Sequence, residues 1–258
     1  MSNFAPAVGH AVRLIRVLAE EPQAIGVSEI SRKMGLNKNM VFRILQSLEE
    51  EGWVFCGEGA KYRLSLLPFQ ITSRAVERMP LSVAAAPYLQ HLWEKFGEST
   101  YLGVRRNREV LYLQHLDSIK PVKVAGAVGR SYPLHCTAPG KVLLAWESAE
   151  FQKEFWQLDL KQYTEHTITA PELLAAELDE VRSQGFAIDN EEYGRGIVCI
   201  AAPIFDFTQT VVGAIGCSFS TVEQEANSLY QACGKELLSA SASISSLMGF
   251  LPEADKSE

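Results

Sequence analysis

Apolar residues near the N-terminus recur at helical spacing. Val8, Ala11, Val12, Ile15 and Leu18 share one face, which predicts a helix over residues 7–20, closed by Pro22. Two short helices are expected next. In the first, Ser28 is read as the cap, Ile30 and Met34 as the buried face, and Gly35 as the positive-φ residue that ends it. The second runs from Lys38 to about Glu50 and is capped by Asn37. Its inward positions are Val41, Ile44, Leu45 and Leu48, while Lys38, Asn39, Arg43, Gln46 and Ser47 stand opposite. The pattern then changes to that of strands. Residues 52–56 and 61–64 read as a hairpin with Gly57-Glu58-Gly59-Ala60 at its tip. Residues 66–78 are helical again, and Pro80 is expected to end that stretch.

Beyond Pro80, helices and strands mix. Helices are expected over 82–96, 139–146, 149–157 and 171–184. A last one should follow a capping box at Ser220-Thr221-Val222-Glu223 and run to about Met248. Strands are expected over 100–105, 109–115, 121–127, 186–189, 197–205 and 210–219. The first two form a hairpin turning at Arg106-Asn107-Arg108, and the last two, rich in Val, Ile and Ala, read as buried neighbours. The tail from Pro252 is expected to be disordered. Together these elements predict an α+β protein: a winged helix-turn-helix over 1–65, a connecting helix over 66–79, and a second domain over 80–258.

Composition narrows the class. The chain has 258 residues, 47% apolar and 21% charged, which excludes fibrous and wholly disordered classes. No run approaches about 18 apolar residues, so no membrane span is expected. Arg13, Arg16, Glu20 and Glu21 interrupt the N-terminal apolar positions, so no signal peptide is expected either. The five cysteines, Cys56, Cys136, Cys199, Cys217 and Cys233, are odd in number, widely spaced and lack a Cys-x-x-Cys. That usage fits a reducing cytoplasm and predicts no disulfide framework, no metal site and no cofactor.

The net charge of −7 argues against nucleic acid until it is divided along the chain. Residues 1–66 carry a net +1 and the rest −8, and segment 27–48 alone carries +3. A nucleic-acid surface therefore belongs in the first quarter. A helix fits the major groove of DNA, and its first residues reach base edges. Lys38, Asn39 and Arg43 have the donors and acceptors for that role. Ser28, Arg32, Ser47, Lys61 and Arg63 are better placed for phosphates. The competing reading is an amphipathic helix pair with a solvated basic face, and the hairpin with Lys61 and Arg63 directly behind it weighs against that.

Residues 7–65 resemble the DNA-binding domain of the IclR family of bacterial transcription regulators. The resemblance rests on Val27-Ser28-Glu29-Ile30-Ser31, Met34-Gly35-Leu36, Lys38-Asn39-Met40-Val41-Phe42-Arg43-Ile44-Leu45, Glu51-Gly52-Trp53-Val54 and Tyr62-Arg63-Leu64. The family usually has Ser-Thr where this chain has Asn39-Met40, so Asn39 and Met40 are expected to shift operator preference. Further on, Leu134-His135-Cys136-Thr137-Ala138-Pro139-Gly140-Lys141 places Thr137 as the cap of a helix whose first turn could face an anion. This run, Glu191-Glu192 to Gly196 and Cys199-Ile200-Ala201-Ala202-Pro203-Ile204, and Gly213 to Ser220 resemble the same family's effector-binding domain, whose fold is GAF-like.

The resemblance implies a small carboxylate bound at Ala138, Pro139, Asp189, Cys199, Gly216 and Ser218. Two departures stand out. Pro139 has no N–H to offer, and Gly216 stands where some members have Ser, which predicts a roomier pocket for a ligand bulkier than glyoxylate or pyruvate. The implied protein is a repressor of a catabolic operon, a homodimer or dimer of dimers on double-stranded DNA, responding to a small organic acid.

Other functions compete with this one. His10, His91, His115, His135 and His166 form no metal or hydrolase motif, so no enzyme is expected. Cys199 or Cys136 could instead act as a redox-sensing thiol, and the regulator could be an activator. The apolar side of 66–78 (Leu66, Leu67, Phe69, Ile71 and Ala75) is expected to bury against a second copy.

Overall fold

The computed structural model describes residues 5–77, 80–121, 124, 126–221 and 226–251. Val222 and Glu223 of the expected capping box, the side chain of Ala75 and the tail from Pro252 lie outside the described residues. The chain divides into two compact units, residues 1–77 and 78–258.

The first unit opens with α1 (Pro6–Glu20), then a two-residue strand β1 (Ile25–Gly26), α2 (Val27–Met34) and α3 (Lys38–Glu50). Strands β2 (Val54–Gly57) and β3 (Lys61–Leu64) and helix α4 (Leu67–Glu77) complete it. Leu14, Ile30, Val41, Leu45, Val54 and Tyr62 form its buried centre. Gly35 ends α2 in the left-handed region at φ 66°, which glycine adopts without a Cβ penalty. Asn37 caps α3, its side-chain oxygen accepting from the Met40 N–H at 2.9 Å. Ser28 is not a cap. Helix α2 starts two residues earlier than a Ser28 cap would set it, behind Gly26, and Ser28 is exposed in its first turn. The cause is β1: Ile25 pairs with Tyr62 and Gly26 with Lys61, so strand geometry persists up to Val27.

Pro80 does not end a helix; it opens the next, α5 (Pro80–Phe96), where its missing N–H costs nothing. The rest of the second unit is β4 (Ser99–Arg106), β5 (Glu109–Leu116), β6 (Ser131–Pro133), α6 (Ala138–Ala145), α7 (Ala149–Phe155), α8 (Pro171–Gln184), β7 (Ala187–Asn190), β8 (Ile197–Phe205), β9 (Val211–Ser220) and α9 (Ala226–Leu247). The strand expected over 121–127 falls partly outside the described residues. Its described positions are not in a strand, and the edge of the sheet is β6 instead.

Six strands form one antiparallel sheet in the order β6-β5-β4-β9-β8-β7. Helices α6 and α8 cover one face; α5 and α9 pack on the strands from the other. Register aligns two rows of side chains on the α6 face. Asp189, Cys199, Ser218 and Ser99 make one row across four strands, and Ala187, Ala201, Gly216 and Tyr101 the next.

Candidate functional site

In the first unit, Ser28, Arg32, Lys38, Asn39, Met40, Arg43, Ser47, Lys61 and Arg63 are all exposed. Val41, Leu45 and Leu48 anchor α3 in the core, so the outward side of that helix carries Asn39, Arg43 and Ser47. Asn39, Met40, Arg43 and Ser47 line a cleft of about 720 Å³ between α3 and the start of α1. Lys33 is engaged otherwise: its ammonium lies 2.6 Å from Glu21, which holds its pKa above the usual lysine value. Arg13 donates to the Met34 carbonyl at 3.1 Å and braces the end of α2.

In the second unit, Thr137 sets the start of α6. Its hydroxyl donates to the Pro133 carbonyl at 2.6 Å and accepts from the Gly140 N–H at 3.2 Å. The Lys141 N–H closes on the Thr137 carbonyl at 2.9 Å. Pro139 has no N–H, so Ala138 supplies the remaining donor of this turn among the described residues. Close packing against α6 is enforced at Gly140, where a Cβ would stand 2.4 Å from the Leu134 carbonyl oxygen.

Facing α6, Asp189 is 1% exposed. Its Oδ1 accepts from the Glu192 N–H at 2.7 Å and the Tyr193 N–H at 3.3 Å. Burial, reinforced by the Glu192 charge, pushes its carboxyl up to about 7. Cys199 Sγ and Ser218 Oγ lie 3.1 Å apart on adjacent strands. The structure thus brings Asp189, Cys199 and Ser218 into one row.

Gly216 behaves otherwise than expected. The space above it is filled by Tyr101, whose Oη would stand 2.4 Å from a Cβ there. Gly216 therefore makes room for a tyrosine, and the roomier pocket read from its missing side chain is overturned. Tyr101 is fully buried and donates to the Ile200 carbonyl at 3.4 Å. It stacks on Tyr112 with ring centroids 4.7 Å apart; Tyr112 lies 4.4 Å from Tyr132, and Tyr132 meets Tyr193 edge-on at 5.8 Å.

Two residues escaped the sequence reading. Tyr101 carried no local signal, because its role depends on strand register with Gly216. Nothing local marks Lys141 either, yet it is fully buried. Its Nζ lies 2.7 Å from Glu177 and 2.6 Å from Glu192. Burial pushes its pKa down, but the two carboxylates outweigh that and hold it above the usual value. Lys141 thereby ties α6 to α8 and to the loop after β7.

The redox alternative fares poorly in this geometry. Burial raises the thiols of both Cys136 and Cys199, which disfavours the reactive thiolate. His135 is engaged elsewhere: its Nε2–H donates to the Lys161 carbonyl at 2.9 Å, and burial lowers its pKa.

A winged helix with an exposed polar recognition face, joined in one chain to a sheet-based sensing unit, defines a ligand-responsive DNA-binding transcription regulator. Residues 7–54 match the IclR helix-turn-helix domain, and residues 73–246 match the bacterial transcriptional regulator IclR C-terminal domain. The chain belongs to the IclR family. It is 35% identical over 239 residues to the HTH-type transcriptional regulator KdgR of Dickeya chrysanthemi, covering 92% of this chain and 78% of that one. It is 30% identical over 213 residues to the DNA-binding transcriptional repressor YiaJ of Escherichia coli K12, covering 81% and 76%. The fold matches an IclR homolog from Microbacterium hydrocarbonoxydans crystallised with 4-hydroxybenzoate, with TM-score 0.83, 22% identity, and 94% and 99% of the two chains covered.

Proposed function

We propose that this regulator is a cytoplasmic repressor whose operator affinity is set by a small organic acid held between the start of α6 and the row Asp189, Cys199 and Ser218. The observation that carries this reading is the convergence of that polar row, the buried first turn of α6 and the tyrosine stack on one face of the sheet. Ala138 offers an N–H, and protonated Asp189 a hydroxyl, to a carboxylate. With Tyr101 above Gly216, the acid is compact. Repression is the mode named for the relative YiaJ, and an acid occupies the Microbacterium homolog of the same fold.

On the DNA side, Lys38, Asn39, Met40 and Arg43 read base edges, and Ser28, Arg32, Ser47, Lys61 and Arg63 meet phosphates. The exposed apolar side chains Leu66, Phe69 and Ile71, at and just before the start of α4, pair two copies, matching a two-fold operator. The effector acts by linkage: it shifts DNA affinity only by its differential affinity for the two arrangements of the dimer.

The test is fluorescence anisotropy on duplexes that the protein itself selects from a random-sequence library, with a panel of small carboxylic acids including 4-hydroxybenzoate. At least one acid is expected to move the binding curve. Arg43→Ala is expected to weaken binding to the selected duplex by about 1–3 kcal/mol while leaving random DNA much less affected. Binding that no acid in the panel alters, or an equal Arg43→Ala loss on both duplexes, would sink the corresponding assignment.

A further inference from the structure

The hairpin of the first unit holds an aromatic side chain that its core does not explain. Side chains alternate along β2 and β3. Val54 and Tyr62 point inward and are buried, while Phe55, Lys61 and Arg63 point outward. Phe55 is 51% exposed and stands outside the buried centre that Val54 and Tyr62 join. A phenylalanine on the wet face of a short hairpin contributes little to folding.

Its neighbours give it a use. Phe55 and Arg63 are direct cross-strand partners. The Arg63 guanidinium lies over the Phe55 ring at 5.1 Å from its centroid. Opposite Gly57 stands Lys61, so the tip presents two cations on one face, one of them on an aromatic plate.

We propose that Phe55 is a positioning residue for DNA binding: its ring holds the Arg63 guanidinium outward, in the orientation that meets a backbone phosphate. An unsupported arginine on an exposed strand samples many rotamers and loses that freedom on binding. Stacking restricts the planar fork beforehand and leaves its N–H edge free to donate to phosphate oxygens. The inference rests on the DNA-binding role of the winged helix, which wild-type binding to the selected duplex reads separately.

The experiment is a double-mutant cycle in the full-length protein, read by anisotropy on a random-sequence duplex and on the duplex selected by the wild type, each across a salt series. Phe55→Ala is expected to weaken binding to both duplexes by about 3- to 10-fold, with the salt slope unchanged, because the same phosphate is still neutralised. Phe55→Trp should restore wild-type affinity. Arg63→Ala should lower the salt slope by about one. In the Arg63→Ala background, Phe55→Ala should cost nothing more. Thermal melts of each variant separate this from a loss of folding, since Phe55 lies outside the core. Wild-type affinity in Phe55→Ala, or a full Phe55→Ala loss persisting without Arg63, would overturn the proposal.

Discussion

Asp189 is an acid whose surroundings favour its neutral form. Its carboxyl titrates at about 7 in the folded chain, against 3.8 for the free side chain, because burial and Glu192 oppose its charge. The folded state therefore holds a proton that the unfolded state has released, and folding stability falls as pH rises from about 4 through 7. Lys141 faces the same cluster and softens the effect without reversing it. Asp189→Asn keeps an acceptor for the Glu192 and Tyr193 N–H groups while removing the titration. Wild type is expected to lose more stability than Asp189→Asn between pH 5 and pH 8, by up to a few kcal/mol. Melting curves for the two proteins that run parallel across that range would refute this. None of this was visible at Asp189 itself, because its burial is made by Glu192, α6 and β8. The same holds for Gly216, which reads as empty space although Tyr101, its partner on the adjacent strand, fills it.

Helix α3 shows what local chemistry does determine. Gly35 in the left-handed region, Asn37 as cap and the buried stripe Val41, Leu45 and Leu48 are all written within a few residues of where they act. Thr137 and Gly185 are equally local: one caps α6, the other ends α8 at φ 80°. Such signals were legible because each needs only its own turn of chain. The errors lie where a partner strand decides. Strand β1 is two residues long and exists through its pairing with β3, and it displaces the cap expected at Ser28. Strand β6 is three residues long and is defined by its pairing with β5. Asn37→Ala is expected to destabilise the first unit by about 1 kcal/mol. Urea denaturation followed by hydrogen exchange of amides in residues 5–64 measures it, and an unchanged midpoint would mean that the cap contributes nothing.

Seen whole, the molecule separates its charge: a slightly basic winged helix and a strongly acidic sensing unit. The acidic unit is repelled by DNA, so contact with the duplex falls to the first unit. Leu66, just before α4, and Phe69 and Ile71 within it are large apolar side chains left exposed, Phe69 to 66%. Exposed apolar side chains of that size are what a second copy would cover. Phe69→Glu is expected to shift the protein toward smaller species in sedimentation velocity at micromolar concentration. It should also reduce affinity for a two-half-site duplex by tenfold or more while sparing binding to a single half-site. An unchanged assembly state would place the dimer contact elsewhere.

The strand order of the sheet also sets a sequence of events in time. The centre of the sheet joins β4 to β9, Ser99 against Ser218, so it cannot close until the chain has been made past residue 218. The winged helix draws its pairings from residues 25–64 and needs nothing later. At ribosomal speeds of about 5–20 residues per second, the first unit is complete on the order of ten seconds before the second can be. Each newly made molecule therefore passes through a stage at which its helix-turn-helix half is folded and its effector-domain half is not.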